Sequence, residues 1–204
     1  MPGSVAVAGV PIDLVPSAAS VWSVDPAGDR VRVTAAPRSD FFVDPAGTGV
    51  PVHNALTLLG AAPDGDFQFS ARVTVDFAAT YDAGVLMMWH GEANWAKLCF
   101  EYSPDGEAMI VSVVNRGVSD DANAFVVDGR AAWLRVSRIG RAFAYHASLD
   151  GDRWQLVRHF ALASTAAPLR VGFEAQSPVG DGCDVTFSDI RFTATSLGDL
   201  RDGS

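Results

Sequence analysis

Short stretches of alternating or continuous apolar residues, divided by Asp-Gly pairs, fill the chain and leave little room for anything but β-structure. "RVRVTA", "FQFSARVTVDF", "AGVLMMW", "AMIVSVV", "AWLRVSRI", "RAFAYHASL", "WQLVRHF", "LRVGFEA" and "CDVTFSDIRFTA" follow one another from residue 30 to 194. Asp64-Gly65, Asp105-Gly106, Asp128-Gly129, Asp150-Gly151 and Asp181-Gly182 lie between them, a dipeptide that suits tight hairpins because both residues tolerate positive φ. No window carries a sustained helical period. The pattern predicts an all-β sandwich of about a dozen strands, and with 49% apolar residues in 204 the chain can bury a real core without staples.

The stretch "NWAKLCFEYS", residues 94–103, shows how such a strand is used. Alternation puts Ala96, Leu98, Phe100 and Tyr102 on one face and Trp95, Lys97, Cys99 and Glu101 on the other. In "RVGFEAQ", Val171, Phe173 and Ala175 alternate with Gly172, Glu174 and Gln176. A sheet that turns these polar faces outward and bends forms a groove. Trp95, Lys97, Glu101, Glu174 and Gln176 would suit a sugar there, an aromatic ring stacking on the pyranose while carboxylates and amides bond its hydroxyls. The plainer reading is a solvated face on which Lys97 and Glu101 form weak cross-strand ion pairs.

A second group follows the strand "MIVSVV". "NRGVSDDANAF" brings together Arg116, Ser119, Asp120, Asp121 and Asn123. Turn chemistry accounts for each singly, and a hydroxyl-reading site accounts for them jointly. The Pro104-Asp105-Gly106 turn predicts a hairpin that sets Arg116 beside Trp95, with this segment as a loop at the groove mouth.

Catalytic signals are sparse. Glycoside hydrolysis needs two carboxylates about 5–9.5 Å apart, yet the same-face neighbours of Glu101 are Cys99 and Ser103, so only a distant acid such as Glu174 could complete a pair. His53, His90, His146 and His159 lack metal-ligand spacing, and no phosphate loop, dinucleotide fingerprint or nucleophile elbow is present. The reading leans against an enzyme, leaves the question open, and expects no metal or cofactor. A net charge of −9 argues against nucleic acid and anionic membrane as partners, and no apolar run is long enough to span a bilayer. The N-terminus lacks a basic signal-like region. Two separated cysteines, Cys99 and Cys183, are not a secreted disulfide framework, so a cytoplasmic setting is expected.

Taken in order, "VWSVDP", "PRSDFFVDP", "YDAGVLMMW", "NWAKLCFEYS", "VSVVNRGVSDDANAF", "SLDGDRWQLVRHF" and "VGFEAQSP" resemble the uncharacterised concanavalin A-like family that includes the yeast regulation-of-enolase protein. The resemblance covers roughly residues 15–195 and implies a jelly-roll sandwich of two antiparallel sheets. Its matching positions are Asp82, Gly84, Trp95, Lys97, Glu101, Ser119, Asp120, Ser177 and Pro178. It implies no activity, and Asp121 stands where many relatives carry tryptophan. The expectation is one domain over 1–204, with a loose arm at about 1–16 and a loose tail at about 197–204. Its expected role is to bind a carbohydrate or sugar-like metabolite without catalysis; docking of a metabolic enzyme, or hydrolysis by distant acids, are the alternatives.

Overall fold

The computed structural model describes residues 3–19, 21–163, 165 and 167–204. Among the described residues sixteen strands follow one another, and none of these residues forms a helix long and apolar enough to cross a membrane. They are β1 (Val15–Pro16), β2 (Trp22–Val24), β3 (Val31–Thr34), β4 (Phe41–Phe42), β5 (Val52–His53), β6 (Leu56–Ala61), β7 (Phe67–Asp76) and β8 (Ala83–Gly91). Then come β9 (Asn94–Tyr102), β10 (Ala108–Arg116), β11 (Ser119–Val126), β12 (Ala131–Ile139), β13 (Ala142–Ser148), β14 (Gln155–Phe160), β15 (Arg170–Gln176) and β16 (Asp184–Thr193). The excess over a dozen comes from β1, β2, β4 and β5, which are too short for alternation to mark.

Two seven-stranded antiparallel sheets stack as the expected jelly-roll sandwich. The first has the order β1-β6-β15-β8-β9-β10-β11 and the second β14-β13-β12-β7-β16-β3-β2. Their facing side chains form one core, in which Phe173 of the first sheet meets Phe69 and Phe187 of the second at 5.2 and 4.5 Å between ring centroids. Every Asp-Gly pair named above has its glycine at positive φ, between 78° and 116°, where a side chain would be strained.

Gly84 serves a different purpose. A Cβ there would lie 2.5 Å from Val73 Cγ1 and 2.7 Å from Val185 Cγ1, so the glycine sets how closely β8 approaches the opposite sheet.

Both chain ends differ from the loose segments expected. In the N-terminal arm Val7, Val10 and Leu14 are buried in the core, and Val5 pairs with Leu14 before β1 joins β6. The last residues fold onto the second sheet because buried side chains there need acceptors: Arg135 donates to the Gly203 carbonyl, and His146 Nε2 lies 2.9 Å from the Leu200 carbonyl.

The segment 115–125, expected as a loop, is a hairpin. Gly117 turns the chain at φ 91°, and β11 pairs with β10 as the sheet edge. Most of β11 is exposed, so no apolar alternation announced it.

Replacing Gly84 with alanine should lower stability by about 1–3 kcal/mol, the range for overpacking a filled core, read as a lower urea midpoint. An unchanged midpoint would mean that the two sheets part freely at this point.

Candidate functional site

Strand register determines which side chains share the outer face of the first sheet. Leu98 is enclosed in the inter-sheet core, and its neighbours Lys97 and Cys99 point away from it. Across the strands, Gly172, Met87, Lys97, Val113 and Asp121 form one row. Glu174, Val85, Cys99, Val111 and Asn123 form the next, and Gln176, Ala83, Glu101 and Met109 the third.

Residues 36–55 cross this face as a strap. At one end Ser39 and Ser177 exchange backbone hydrogen bonds. At the other, the Val43 backbone N–H donates to Ser119 Oγ at 2.9 Å, and the Ser119 N–H donates to the Val43 carbonyl, also at 2.9 Å. Between these anchors Lys97 Nζ donates to Asp40 Oδ1 at 2.8 Å and to Gln176 Oε1 at 2.7 Å. Gln176 in turn donates to the Tyr81 carbonyl at 3.2 Å. On one side of this ion pair Phe41 packs edge-on against Trp89 and Trp95, with His53 alongside, and closes a second apolar cluster over Met87, Val85 and Cys99.

On the other side the face stays open as a groove of about 490 Å³. Its polar lining is Asp40, Lys97, Glu101, Asp121, Asn123 and Gln176; Met109 and Val113 supply apolar floor, and Phe42, Tyr81 and Val179 form rims. Among the described residues neither Glu101 nor Asn123 has a side-chain hydrogen bond or ion pair within the protein.

The acids respond to this setting. Burial pushes Glu101 up to about 8, opposed by Lys97 and reinforced by the negative charges of Asp121, Asp40 and Glu174. Glu174 is completely enclosed, neither carboxyl oxygen has a partner among the described residues, and burial pushes it up to about 8 against the attraction of Lys97. The Asp121 carboxyl is also raised, chiefly by burial. Burial would lower Lys97, but Asp40 and the surrounding acids hold its pKa above the ordinary lysine value.

The predicted residues therefore divide. Lys97, Glu101, Asp121, Asn123 and Gln176 line the groove. Trp95 does not: it is wholly buried under the strap, with its indole N–H donating to the Glu92 carbonyl at 3.1 Å, so it offers no stacking face. Glu174 is enclosed rather than exposed. Arg116 and Asp120 leave the groove because a strand directs neighbours to opposite faces. Asp120 pairs with Arg158 at 2.8 Å and with Arg116 at 3.6 Å, while Asp121 points the other way. Asp40, Phe42 and Tyr81 were missed, and Asp40 and Phe42 arrive on a strap more than fifty residues before Lys97. The acid and paired phenylalanines of "PRSDFFVDP" were the available signal.

Several positions shared with the resembled family are explained by the strap and its anchors. Asp82 Oδ1 accepts from Ser177 Oγ at 2.6 Å, and its other oxygen accepts from the Ala78 and Ala79 N–H groups, both at 2.8 Å. Ser177 thus fixes the strap to a buried carboxylate.

A family model described as "Protein of unknown function (DUF1349)" matches residues 18–195. The chain belongs to this family. A functionally unknown protein of Saccharomyces cerevisiae is 28% identical, with a TM-score of 0.76 over 85% of this chain and 92% of that one. A GH43 protein of Bacillus licheniformis, BlXynB, is 15% identical with a TM-score of 0.66, over 86% of this chain but only 35% of its own. A GH43 protein of Bacteroides ovatus, from its xyloglucan PUL, is 11% identical with a TM-score of 0.71, over 96% of this chain and 40% of its own. The two GH43 likenesses establish a shared fold. No curated protein matches the chain.

The enclosed Glu174 makes stability depend on pH. Between its ordinary value of 4.5 and about 8 the folded state keeps a proton that the unfolded chain has released, so this group makes stability fall as pH rises through that window and level off above it. Glu174→Gln removes the effect. The loss of stability from about pH 5 to about pH 8.5, measured by urea denaturation, should shrink by up to about 4 kcal/mol. An equal loss in both proteins would show that this carboxyl is not held neutral.

Proposed function

We propose that the protein binds a carbohydrate or sugar-like metabolite in the groove beside the strap and does not transform it. The observation that carries this reading is the composition of the groove. Carboxylates at Glu101 and Asp121 and amides at Asn123 and Gln176 surround an apolar floor of Met109 and Val113, with Tyr81 and Phe42 at the rim. Hydroxyl groups satisfy such a lining as donors and acceptors together, while the apolar floor receives C–H groups. Tyr81 takes the stacking role that the buried Trp95 cannot, being 40% exposed.

Hydrolysis by Glu101 and Glu174 is disfavoured because a wholly enclosed Glu174 cannot reach a scissile bond. Docking of a metabolic enzyme would use the apolar rim, where Tyr81 and Val179 are the exposed large apolar side chains, a narrow patch for a protein partner. The free, buried cysteines Cys99 and Cys183 fit a reducing compartment, and cytoplasm is part of the proposal.

Asp121→Ala and Asn123→Ala test the site, because both positions lie on an edge strand and contribute little to the core. Titration calorimetry against mono- and oligosaccharides should find the Asp121 variant weakened by about 1.5–3 kcal/mol, the range for a hydrogen bond to a charged group, with an unchanged melting temperature. No reducing ends should be released from β-glucans. Unaltered affinity in both variants would remove the groove from the binding surface, and turnover lost in Glu101→Gln would make the protein an enzyme.

A further inference from the structure

The groove is not neutral, and its imbalance narrows the class of ligand. Among the described residues Lys97 is the one basic side chain in its lining, against the acids Asp40, Glu101 and Asp121. The lysine's charge is already committed to Asp40 at 2.8 Å, and Gln176 occupies a further donor position. Glu174, enclosed beside the same ammonium with both oxygens unpartnered, adds a fourth carboxyl to its surroundings. Among the described residues Glu101 and Asp121 are thus left without a cation of their own: Arg116 and Arg158 both engage Asp120, on the opposite face of β11.

We infer that the ligand of this groove carries a protonated amine together with hydroxyl groups, as an amino sugar does, and that the ammonium is held by Glu101 and the Asp121 side of the groove. This rests on the binding reading above and makes it more specific. A neutral sugar accepts or donates hydrogen bonds here but supplies no counter-charge to Asp121 or to an ionised Glu101. An ammonium supplies charge-assisted hydrogen bonds, about twice as strong as neutral ones. A uronate adds a further negative charge to a surplus. Asn123 and the Tyr81 rim then meet the hydroxyl-bearing ring, while Met109 and Val113 lie beneath it.

Binding is coupled to protons. Near neutral pH Glu101 holds a proton; a bound ammonium favours the ionised carboxylate, so the proton is released to solvent. Affinity for the amine therefore rises as pH increases from about 6 towards 8, provided the ligand's own amine remains protonated.

The test uses the full chain and matched pyranosides in the gluco, galacto and manno series. Each series contains the neutral methyl glycoside, the same sugar with its primary hydroxyl replaced by an amine, and the corresponding uronate. Titration calorimetry is run in two buffers of different ionisation enthalpy, and amide NMR shifts locate the contact. In the series that binds, the amine should be tighter than the neutral sugar by about 10- to 100-fold, the uronate weakest, and the heat buffer-dependent in the direction of proton release. Glu101→Gln and Asp121→Asn, each confirmed folded by its spectrum, should bring amine and neutral sugar to near parity.

A neutral sugar or uronate that binds in the groove as tightly as the amine overturns this inference and leaves the binding reading intact. Failure of every series to shift Asn123 or Gln176 overturns the binding reading, and this inference with it.

Discussion

The ion pair between Lys97 and Asp40 organises one half of this molecule. A lysine with 3% of its side chain exposed on the outer face of a sheet would be untenable without a partner, because removing an ammonium from water costs several kcal/mol. The partner arrives on a strap from a distant part of the chain, and Gln176 completes the coordination. Once that contact is made, the sheet face is divided. One part becomes a second hydrophobic cluster around Trp95, and the other remains an open groove.

The anchors on either side of the ion pair follow the same logic. Ser177 joins the strap to the buried carboxylate of Asp82, and Ser119 receives Val43 at the far edge of the sheet. These are small hydroxyls whose hydrogen bonds satisfy backbone groups that would otherwise be buried unpaired. They bear on function indirectly, by keeping the strap where it walls the groove. Glu174 is the unpaired acid in this arrangement: a carboxyl enclosed beside Lys97 after Asp40 has taken the lysine, kept protonated by burial. Glu101, by contrast, is made harder to ionise chiefly by its own burial, with the negative charges of Asp121 and Asp40 adding to it.

Neither the fold nor the family relationship supplies chemistry. The GH43 proteins share this sandwich at 15% identity or less, and a fold accommodates many functions. What distinguishes this chain is the content of its groove, in which a polar lining with surplus acid sits over an apolar floor. Asp121 and Asn123 present hydrogen-bonding groups at its edge-strand side.

Residue order and apolar alternation dictate the β-architecture, the long strands and the face on which each of their side chains lies. Alternation has a period of two residues, and each Asp-Gly pair marks a turn, so Leu98 and Lys97 could be assigned to opposite faces without coordinates. It also separated Asp120 from Asp121 in principle, but only once the segment is known to be a strand, and an exposed edge strand carries no apolar signature. What covers the outer face depends on long-range packing. Trp95 and Glu101 stand on the same side of the same strand, yet one is sealed beneath the strap and the other opens into the groove. Local pattern specifies direction, whereas burial depends on which distant segment arrives, and no periodicity within β9 records that Asp40 will pair with Lys97.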